Sequence, residues 1–509
     1  MPSHEPSHEP SHEASHEPSH EASRRRPRVP APVPMVRMAL VAPVGGLRHA
    51  LAHLADAGVV ELEDGSRRGD ETHGPAALAL QRAGGAGGTP PAVALSVDAV
   101  AAARITAWED AGRVDLLGGE AALEDAAATA VTRGRATALA GWCPGDEVAG
   151  LRQRLAPHGA AVVELPRPPG VQPPTRLPSS PASRPFSPLV STYATVPYRD
   201  LDPTVPAGIA YVLMFGMMFG DVGHGLLLVA AGIAVAFGWP RRLSRLRPHW
   251  PLVAGAGAVA TVFGVLYGEA FGPTGLVPVL WLAPLEEPVP LLAAAVGVGA
   301  VLLAGAYALG TVNRFREGGW RPAVYDPSAL SGAALFLGAG LAAAGWYLGV
   351  GAVVTAGLVL AVTALVVAYL GLVAAAGGGA TGAVEAVVEL FDMVVRLGSN
   401  VASFARLAAF GLTHAALGLV VWQATTALWD RGGAALAGAI AVFVVGNALA
   451  FGLEALVAGI QALRLEYYEL FSRIFNAEGR PFRPFHIPAA TPAPATSRTT
   501  TARAPQEVP

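Results

Sequence analysis

Apolar residues are unevenly distributed along the chain and become nearly continuous after about residue 207. About 20 consecutive apolar residues are needed for a helix to cross a bilayer, and several runs here approach or exceed that length. The apolar segments lie at 208–239, 250–272, 288–312, 328–349, 351–375, 384–429 and 433–473. The pattern predicts an α-helical polytopic membrane protein preceded by a soluble region.

The first apolar segment has a glycine-rich centre, FGMMFGDVGHG, which indicates a hairpin turn. Each arm would hold only about 16 residues, which is short for a full span. We therefore predict two short or partly buried helices, which brings the total to about eight transmembrane helices. The last two segments, near 45 and 40 residues long, must tilt strongly or extend beyond the bilayer.

The loops between the apolar segments differ in charge. The loop 240–249 carries four arginines and 313–326 carries three, whereas 273–287 carries none. The positive-inside rule places the two arginine-rich loops in the cytoplasm and the third outside. With eight spans, both termini are then cytoplasmic, and the first 35 residues lack the apolar core of a secretory signal.

The region before the membrane part predicts a small α/β domain. Residues 35–65 have a β-α-β pattern, 76–140 are alanine-rich and predicted helical, and 141–165 fit turn, helix and strand. A proline-rich linker follows at 166–188. The domain has no phosphate-binding loop, so nucleotide chemistry is not expected in it.

Four regions follow from these patterns, of which the first and last are predicted to be loose tails. Residues 1–34 contain five SHEP or SHEA repeats and are predicted to be disordered. The others are the cytoplasmic domain 35–190, the membrane domain 191–475 and a flexible cytoplasmic tail 476–509. The repeats carry five histidines that could weakly hold a divalent metal, namely His4, His8, His12, His16 and His20.

Composition agrees with a membrane protein and excludes several classes. Hydrophobic residues make up 52% of the chain and charged residues 14%, against about 25% in soluble domains. The net charge of −3 gives no reason to expect a nucleic-acid partner, and the single cysteine excludes a disulfide framework. The sequence predicts neither a cofactor nor catalysis by this chain alone.

Polar residues recur along the long predicted helix 381–429. Asp392, Ser399 and Arg406 are spaced by seven and fall on one face, and His414 lies eight residues further on. Arg406 has apolar residues on both sides, which is rare because a central arginine costs about 2.5–3.5 kcal/mol on insertion scales. This stripe predicts an ion path.

The final long segment carries a second polar stripe. Asn447, Glu454, Gln461 and Tyr468 recur every seven residues, and Arg464 lies ten residues after Glu454. If the two stripes face each other, histidine and glutamate can exchange protons while arginine remains charged. The alternative is that Arg406 and Glu454 form a buried structural ion pair.

A carboxylate that could carry protons across the membrane is missing from the predicted spans. Glu269 and Asp221 lie near predicted helix ends rather than at mid-membrane. An arginine promotes the release of a proton from a neighbouring carboxylic acid because it stabilises the ionised form. We therefore expect a partner protein to supply the carboxylate that passes Arg406.

Several sequence patches resemble the membrane-embedded a subunit, or subunit I, of V-type and A/V-type rotary ATPases. They are GWCPGDEV, PPTRLPSSPASRPFSPLVSTYATVPYRDLDPT, FGMMFGDVGHGLLL, FGVLYGEAFG, SNVASFARLAAFGLTHAALG and FGLEALVAGIQALRLEYYELF. The resemblance implies a cytoplasmic arm followed by eight spans, with two long tilted helices curving round a rotating proteolipid ring. It also implies partners in the peripheral stalk and among the subunits associated with the central stalk.

The resemblance assigns a role to each candidate residue. Arg406 matches the arginine that faces the ring carboxylates and separates two half-channels, and Arg464 matches a second, supporting arginine. Glu454 and His414 match polar residues of the outer half-channel. Asp392 and Ser399 match the cytoplasmic half-channel. Gln461 stands where some members have histidine.

Two other departures from the family pattern concern Ala416 and the soluble arm. The family often has glutamine where Ala416 stands. The arm lacks most of a coiled-coil insert between about residues 76 and 140. The resemblance and the short arm imply a bacterial plasma membrane. The other functional hypotheses are a stand-alone secondary transporter or channel, and a membrane anchor with structural buried charges.

Overall fold

The computed structural model describes residues 31–63, 75–83, 99–326, 328–475 and 479–487. Most of the tail predicted for 1–34 lies outside the described residues. The described chain contains a small α/β domain and a helical domain with separate hydrophobic cores.

The first domain is built on an antiparallel sheet in the order β2-β4-β1-β5. β3 pairs with the first three residues of β4. The strands are β1 (Met35–Pro43), β2 (Glu61–Leu62), β3 (Val131–Arg133), β4 (Ala136–Pro144) and β5 (Ala161–Glu164). β4 lies between β1 and β2, so the predicted β-α-β unit is a split one, as in ferredoxin-like folds.

Among the described residues, five helices accompany this sheet, and a sixth follows the domain and joins the core of the helical domain through Val190. The helices are α1 (Leu47–Ala57), α2 (Pro75–Ala83), α3 (Ala99–Asp110), α4 (Val114–Ala128), α5 (Val148–Leu155) and α6 (Ser187–Tyr193). The helical prediction for 76–140 is right for α2, α3 and α4 but wrong for 131–140. Those residues form β3 and β4 because alternate side chains of β4, such as Leu139, are buried against the domain core.

Residues 479–487, which we call the C-terminal strap, lie against the first domain although they fall in the range predicted as a flexible tail. Thr175 pairs with Pro481 in a parallel bridge, and Phe485 N donates to Val60 O at 2.7 Å. The side chains of Phe485 and Ile487 pack on the domain core. The C-terminal strap thus brings the chain that follows the last membrane helix back to the α/β domain.

The helical domain begins with two short apolar helices, α7 (Thr204–Met218) and α8 (Val222–Ala236), joined by a tight turn. This agrees with the predicted hairpin. Glycines permit its close packing: a Cβ at Gly225 of α8 would lie 2.6 Å from Thr261 N. Thr261 lies on α9 (Trp250–Tyr267), which packs along α8.

Further helices, most of them longer, complete this domain. They are α10 (Pro288–Gly318), α11 (Trp320–Tyr325), α12 (Leu330–Tyr347), α13 (Gly351–Ala375), α14 (Gly379–Ser403), α15 (Ala405–Trp429), α16 (Ala435–Leu465) and α17 (Ser472–Ile474). Within the described residues, six helical stretches are long and apolar enough to cross a membrane. α7 and α8 are shorter than that.

The last two helical stretches are the longest, at 51 and 40 residues. The first, predicted as one helix, is interrupted at Phe404, where α14 gives way to α15. The second passes from α16 through a π-helical turn at Glu466–Phe471 into α17. α15 packs along α16 and also contacts α7 and α10. Arg406 and His414 therefore lie on a helix next to that of Glu454 and Gln461, whereas Asp392 and Ser399 lie on α14.

Candidate functional site

His414 of α15 and Glu454 of α16 meet across the interface between the two helices. Glu454 Oε2 lies against His414 Nδ1, and the two side chains are only 11% and 5% exposed. Both residues were predicted to line a polar path, and the structure brings them together. Because both side chains can gain or lose a proton, the contact joins two proton-exchanging groups inside an apolar domain.

The turn between α7 and α8 reaches the same place. Asp221 is fully buried and caps α8: its Oδ1 accepts from His224 N at 2.8 Å, and its Oδ2 accepts from Gly272 N at 2.9 Å. A side-chain oxygen at the N-cap satisfies an otherwise unpaired amide, which explains why α8 begins at Val222. The cap fixes His224 one turn into the helix.

His224 lies beside His414, with 5.5 Å between the ring centroids and an interplanar angle of 83°. Phe219 and Phe451 enclose the two imidazoles, each at 5.8 Å from the His224 ring centroid. Glu269 is 5% exposed and close enough to interact electrostatically with His414. We call these five ionisable residues the outer cluster: Asp221, His224, Glu269, His414 and Glu454.

Sequence reasoning placed only part of the outer cluster in the site. Asp221 and His224 were assigned to a hairpin turn, and Glu269 to a helix end. Their polar side chains within FGDVGHG and YGEAFG, flanked by apolar residues, were the available signal. The pairing of this turn with α15 depends on tertiary packing and has no local pattern.

The two predicted arginines lie apart from the outer cluster's contacts. Arg406 is half-buried near the start of α15 and donates to Ser403 Oγ at 3.4 Å. Arg464 is exposed on α16, and among the described residues it has neither a hydrogen bond nor an ion pair. The alternative of an Arg406–Glu454 ion pair is wrong, because the partner of Glu454 is His414.

The remaining predicted residues lie on exposed or partly buried helix faces. Asp392 and Ser399 are exposed on α14, and Asp392 Oδ2 accepts from Arg396 Nε at 2.5 Å. Arg396, on the same helix, is a further arginine that sequence reasoning missed, although its spacing of four from Asp392 is a known ion-pair signal. Gln461 is half-buried on α16, and its Oε1 has no hydrogen bond to the described residues.

A second polar group joins α14 to the end of the last helical stretch. With its amide oxygen towards Arg473, Asn400 accepts from Arg473 Nη2 at 2.8 Å and donates to Glu469 Oε2 at 2.6 Å. The Arg473 guanidinium also lies 5.4 Å from the ring centroid of Tyr307. Sequence reasoning missed these residues.

The arrangement combines side chains that can exchange protons with arginines that keep their charge. The outer cluster offers imidazoles and carboxylates that can take up and release protons. Arg406 and Arg464 stay protonated at any physiological pH, so they can act only as fixed positive charges. The described residues provide no ion-paired carboxylate beside either arginine.

Comparison with known proteins places these elements in one family. The sequence model of the V-type ATPase 116kDa subunit family matches residues 128–243 and 382–487. The second matched range contains α15, α16 and all but the first turn of α14, and the first contains the α7–α8 hairpin with Asp221 and His224.

Individual relatives agree with this match. The A-type ATP synthase subunit I of Archaeoglobus fulgidus is 27% identical over 68% of this chain and 58% of its own length. That of Aeropyrum pernix is 29% identical over 60% of this chain and 50% of its own length.

A third relative is the V-type proton ATPase subunit a of Neurospora crassa. It is 29% identical over 22% of this chain and 14% of its own length. The chain spans about half the length of the curated subunit I relatives it matches. With its apolar helices, it is an integral membrane protein, and over the two matched ranges it is similar to the V-type ATPase 116kDa subunit family and to A-type ATP synthase subunits I.

Proposed function

We propose that this chain is the proton-carrying stator subunit in the membrane sector of a rotary ATPase or ATP synthase. Protons pass between two half-channels in this chain by way of carboxylates on a rotating proteolipid ring. The chain itself catalyses no hydrolysis, and nucleotide chemistry belongs to other subunits. The single observation that carries the proposal is the buried contact between His414 and Glu454.

The outer half-channel is formed around that contact. A histidine and a glutamate cost free energy to bury between apolar helices, so their presence there is best explained by a function. Each offers a protonation site, and the neighbouring Asp221, His224 and Glu269 extend the chain of such sites. A proton taken up from outside reaches the ring through this cluster.

The two arginines face the ring. Arg406 has only a 3.4 Å hydrogen bond to Ser403, and Arg464 has no partner among the described residues. An arginine in a membrane ordinarily pairs with a carboxylate or faces water. The ring carboxylate supplies that partner in passing, and Arg406 favours its ionised form, which releases the proton.

The inner half-channel begins on the exposed face of α14. Asp392 and Ser399 lie there, and Arg396 binds Asp392 at 2.5 Å. Such an exposed pair contributes little to stability, about 0.3–0.5 kcal/mol, so it is free to open as protons leave. Gln461 on α16 supplies a further polar group beside the path.

The topology that accompanies this function has eight crossings, with α7 and α8 as a short pair of which α7 is the more buried. Both termini then lie in the cytoplasm of a bacterial plasma membrane. The α/β domain, residues 35–190, forms a shortened stator arm that contacts the peripheral stalk and subunits associated with the central stalk. The C-terminal strap lies on the same cytoplasmic side.

Arg406→Gln in the complete complex tests the proposal. We expect ATP-driven acidification of inverted membrane vesicles to fall to background while the complex purifies with all of its subunits. Arg431→Gln, at an exposed position after α15, is the matched control and should pump normally. Normal pumping by the Arg406 variant would show that the chain does not use this arginine to separate half-channels.

A stand-alone transporter is the second candidate, and the interruption of the long helix at Phe404 is the observation that favours it. Discontinuous helices commonly form ion sites in secondary transporters. The purified chain alone in liposomes distinguishes the two functions. Ion flux without any other subunit supports the transporter, and flux that needs the ring supports the stator.

A further inference from the structure

A group of three side chains within the outer cluster has the composition of a transition-metal site. Asp221, His224 and His414 offer ligand atoms that all lie within 4.8 Å of one another, a grouping found once among the described residues. The side chains are buried, with residue exposures of 0%, 2% and 5%. Glu454, in contact with His414, provides a further carboxylate.

His224 gives an independent sign that a ligand belongs here. Neither of its ring nitrogens has a hydrogen bond of ordinary length to the described residues, although the residue is 2% exposed and the Asn447 side chain lies nearby. Its Nδ1 lies 3.9 Å from Asp221 Oδ1, beyond hydrogen-bond distance. Burying a polar atom without a partner is destabilising, so such atoms call for an explanation.

The imidazole of His224 is also held firmly. Phe271 meets it edge-on at 5.4 Å between centroids, and Phe451 and His414 occupy other sides. The Asp221 carboxylate is fixed by its two backbone donors at 2.8 and 2.9 Å. Restraint of this kind is what orients ligands in metal sites.

The donor set selects the ion. Two imidazoles with one or two carboxylates suit Zn²⁺, whereas Ca²⁺ and Mg²⁺ require oxygen ligands. Ligand atoms about 2.0–2.2 Å from a tetrahedral Zn²⁺ lie about 3.4 Å from each other. The ligand atoms here lie within 4.8 Å of one another, so side-chain movements of about 1 Å would bring them to tetrahedral distances.

We propose that Asp221, His224 and His414, with Glu454, bind Zn²⁺. The ion would be coordinated by His414 and Glu454, which are the proton-exchanging groups of the outer half-channel. Bound Zn²⁺ therefore blocks proton uptake from outside, and this consequence, unlike the binding, rests on the proposed function. The site thus makes the path sensitive to a divalent transition metal.

Direct binding is tested on the full chain in detergent with Co²⁺ as a spectroscopic substitute for Zn²⁺. The five histidines of the amino-terminal repeats could also bind metal, so all five are first replaced by serine. This background protein should show the visible ligand-field absorption of four-coordinate Co²⁺, and Zn²⁺ should abolish it. His224→Gln should lose the absorption.

His53→Gln is the matched control. His53 and His158 form an exposed stacked pair with 3.7 Å between ring centroids, so this variant removes the competing histidine pair and should keep the signal. Equal absorption with and without His224 would overturn the site.

A measurement on protein with an intact site covers the case in which the His224 variant fails to fold. The zinc-edge X-ray absorption spectrum of the background protein should contain two imidazole ligands and oxygen ligands. A spectrum with oxygen ligands only would overturn the proposal.

The functional consequence is measured separately, with the complete complex in proteoliposomes and Zn²⁺ added on the outer side. Proton flux should fall, and His224→Gln should raise the half-inhibitory concentration at least about tenfold, each protein being compared with its own metal-free flux. Binding without inhibition overturns the block but keeps the site. Absence of metal-free flux in the unmodified complex counts against the proposed function and leaves the binding result intact.

Discussion

Arg480 and Glu61 are 419 residues apart in sequence, yet Arg480 Nη2 donates to Glu61 Oε1 at 2.5 Å. The other carboxylate oxygen accepts from Arg483 N at 2.6 Å. Glu61 lies on the short strand β2, and its side chain is 12% exposed in this contact. One carboxylate therefore anchors the C-terminal strap to the edge of the amino-terminal sheet.

Glu61→Ala should release the strap. Hydrogen bonds that involve a charged group contribute about 1.5–3 kcal/mol each, and two are lost together. We expect chymotrypsin to cut after Phe485, which is followed by His486, much faster in the folded variant, measured as the rate of loss of the extreme C-terminus. Glu164→Ala is the control, because its contact with Arg152 is exposed and long, at 3.4 Å. Equal cutting rates in the two variants would mean that Glu61 does not hold the strap.

Asp200 predicts a pH dependence of stability. It lies before α7, fully buried, and burial together with the Glu317 carboxylate raises its pKa from 3.8 to about 7. The folded protein then keeps a proton that the unfolded chain releases between about pH 4 and 7, so this group makes stability fall as pH rises through that window. The fall is at most about 4 kcal/mol.

The Asp200→Asn variant should therefore lose that part of the pH dependence. Its apparent melting temperature in detergent should exceed that of the unmodified protein at pH 8 and approach it at pH 4. Glu286→Gln removes an exposed carboxylate and should leave the profile unchanged. A variant profile that still declines as steeply from pH 4 to 7 would assign the effect to another group.

The contact between His414 and Glu454 predicts strong coupling. Removing one partner of a buried pair leaves the other unpaired and costs about 3–5 kcal/mol, whereas replacing both removes that penalty. The double variant should lose less stability than the sum of the losses in Glu454→Gln and His414→Gln. Thermal unfolding of the four proteins in a double-mutant cycle measures this interaction. Additive effects would show that the two side chains act independently.

Much of the fold could be predicted because it depends on local patterns. Apolar length identified the membrane helices, and the glycine-rich centre of the first segment identified the α7–α8 hairpin. Residues 131–140 were predicted wrongly as helix because an alanine-rich composition favours helices, while pairing of β4 with β1 decides their conformation.

The candidate site could be predicted only in part for the same reason. Spacing by seven placed Glu454 on a polar stripe, and His414 was singled out eight residues after Arg406; the structure brings those two together. The sequence could not show that His224 lies beside His414, or Asn400 beside Glu469, because these contacts join elements far apart in sequence. The individual residues carry a local signal, but their proximity is a property of the packing.

Gly299 of α10 offers a test of how precisely the interruption at Phe404 is positioned. A Cβ at Gly299 would clash with the Phe404 ring, which is fully buried two residues before Arg406. Gly299→Ala should therefore displace the start of α15, at a cost of about 1–3 kcal/mol for overpacking. Gly297→Ala, on the same helix, has no atom within 4 Å of the added Cβ and is the matched control.

Both glycine variants gain the same helix propensity, about 1 kcal/mol, so any difference between them comes from the clash. We expect Gly299→Ala to lower both the melting temperature and the proton flux of the complex, and Gly297→Ala to lower neither. If only the melting temperature of the Gly299 variant falls, Phe404 is a packing residue alone. If flux falls as well, the buried ring at the interruption sets the position from which Arg406 meets its partner.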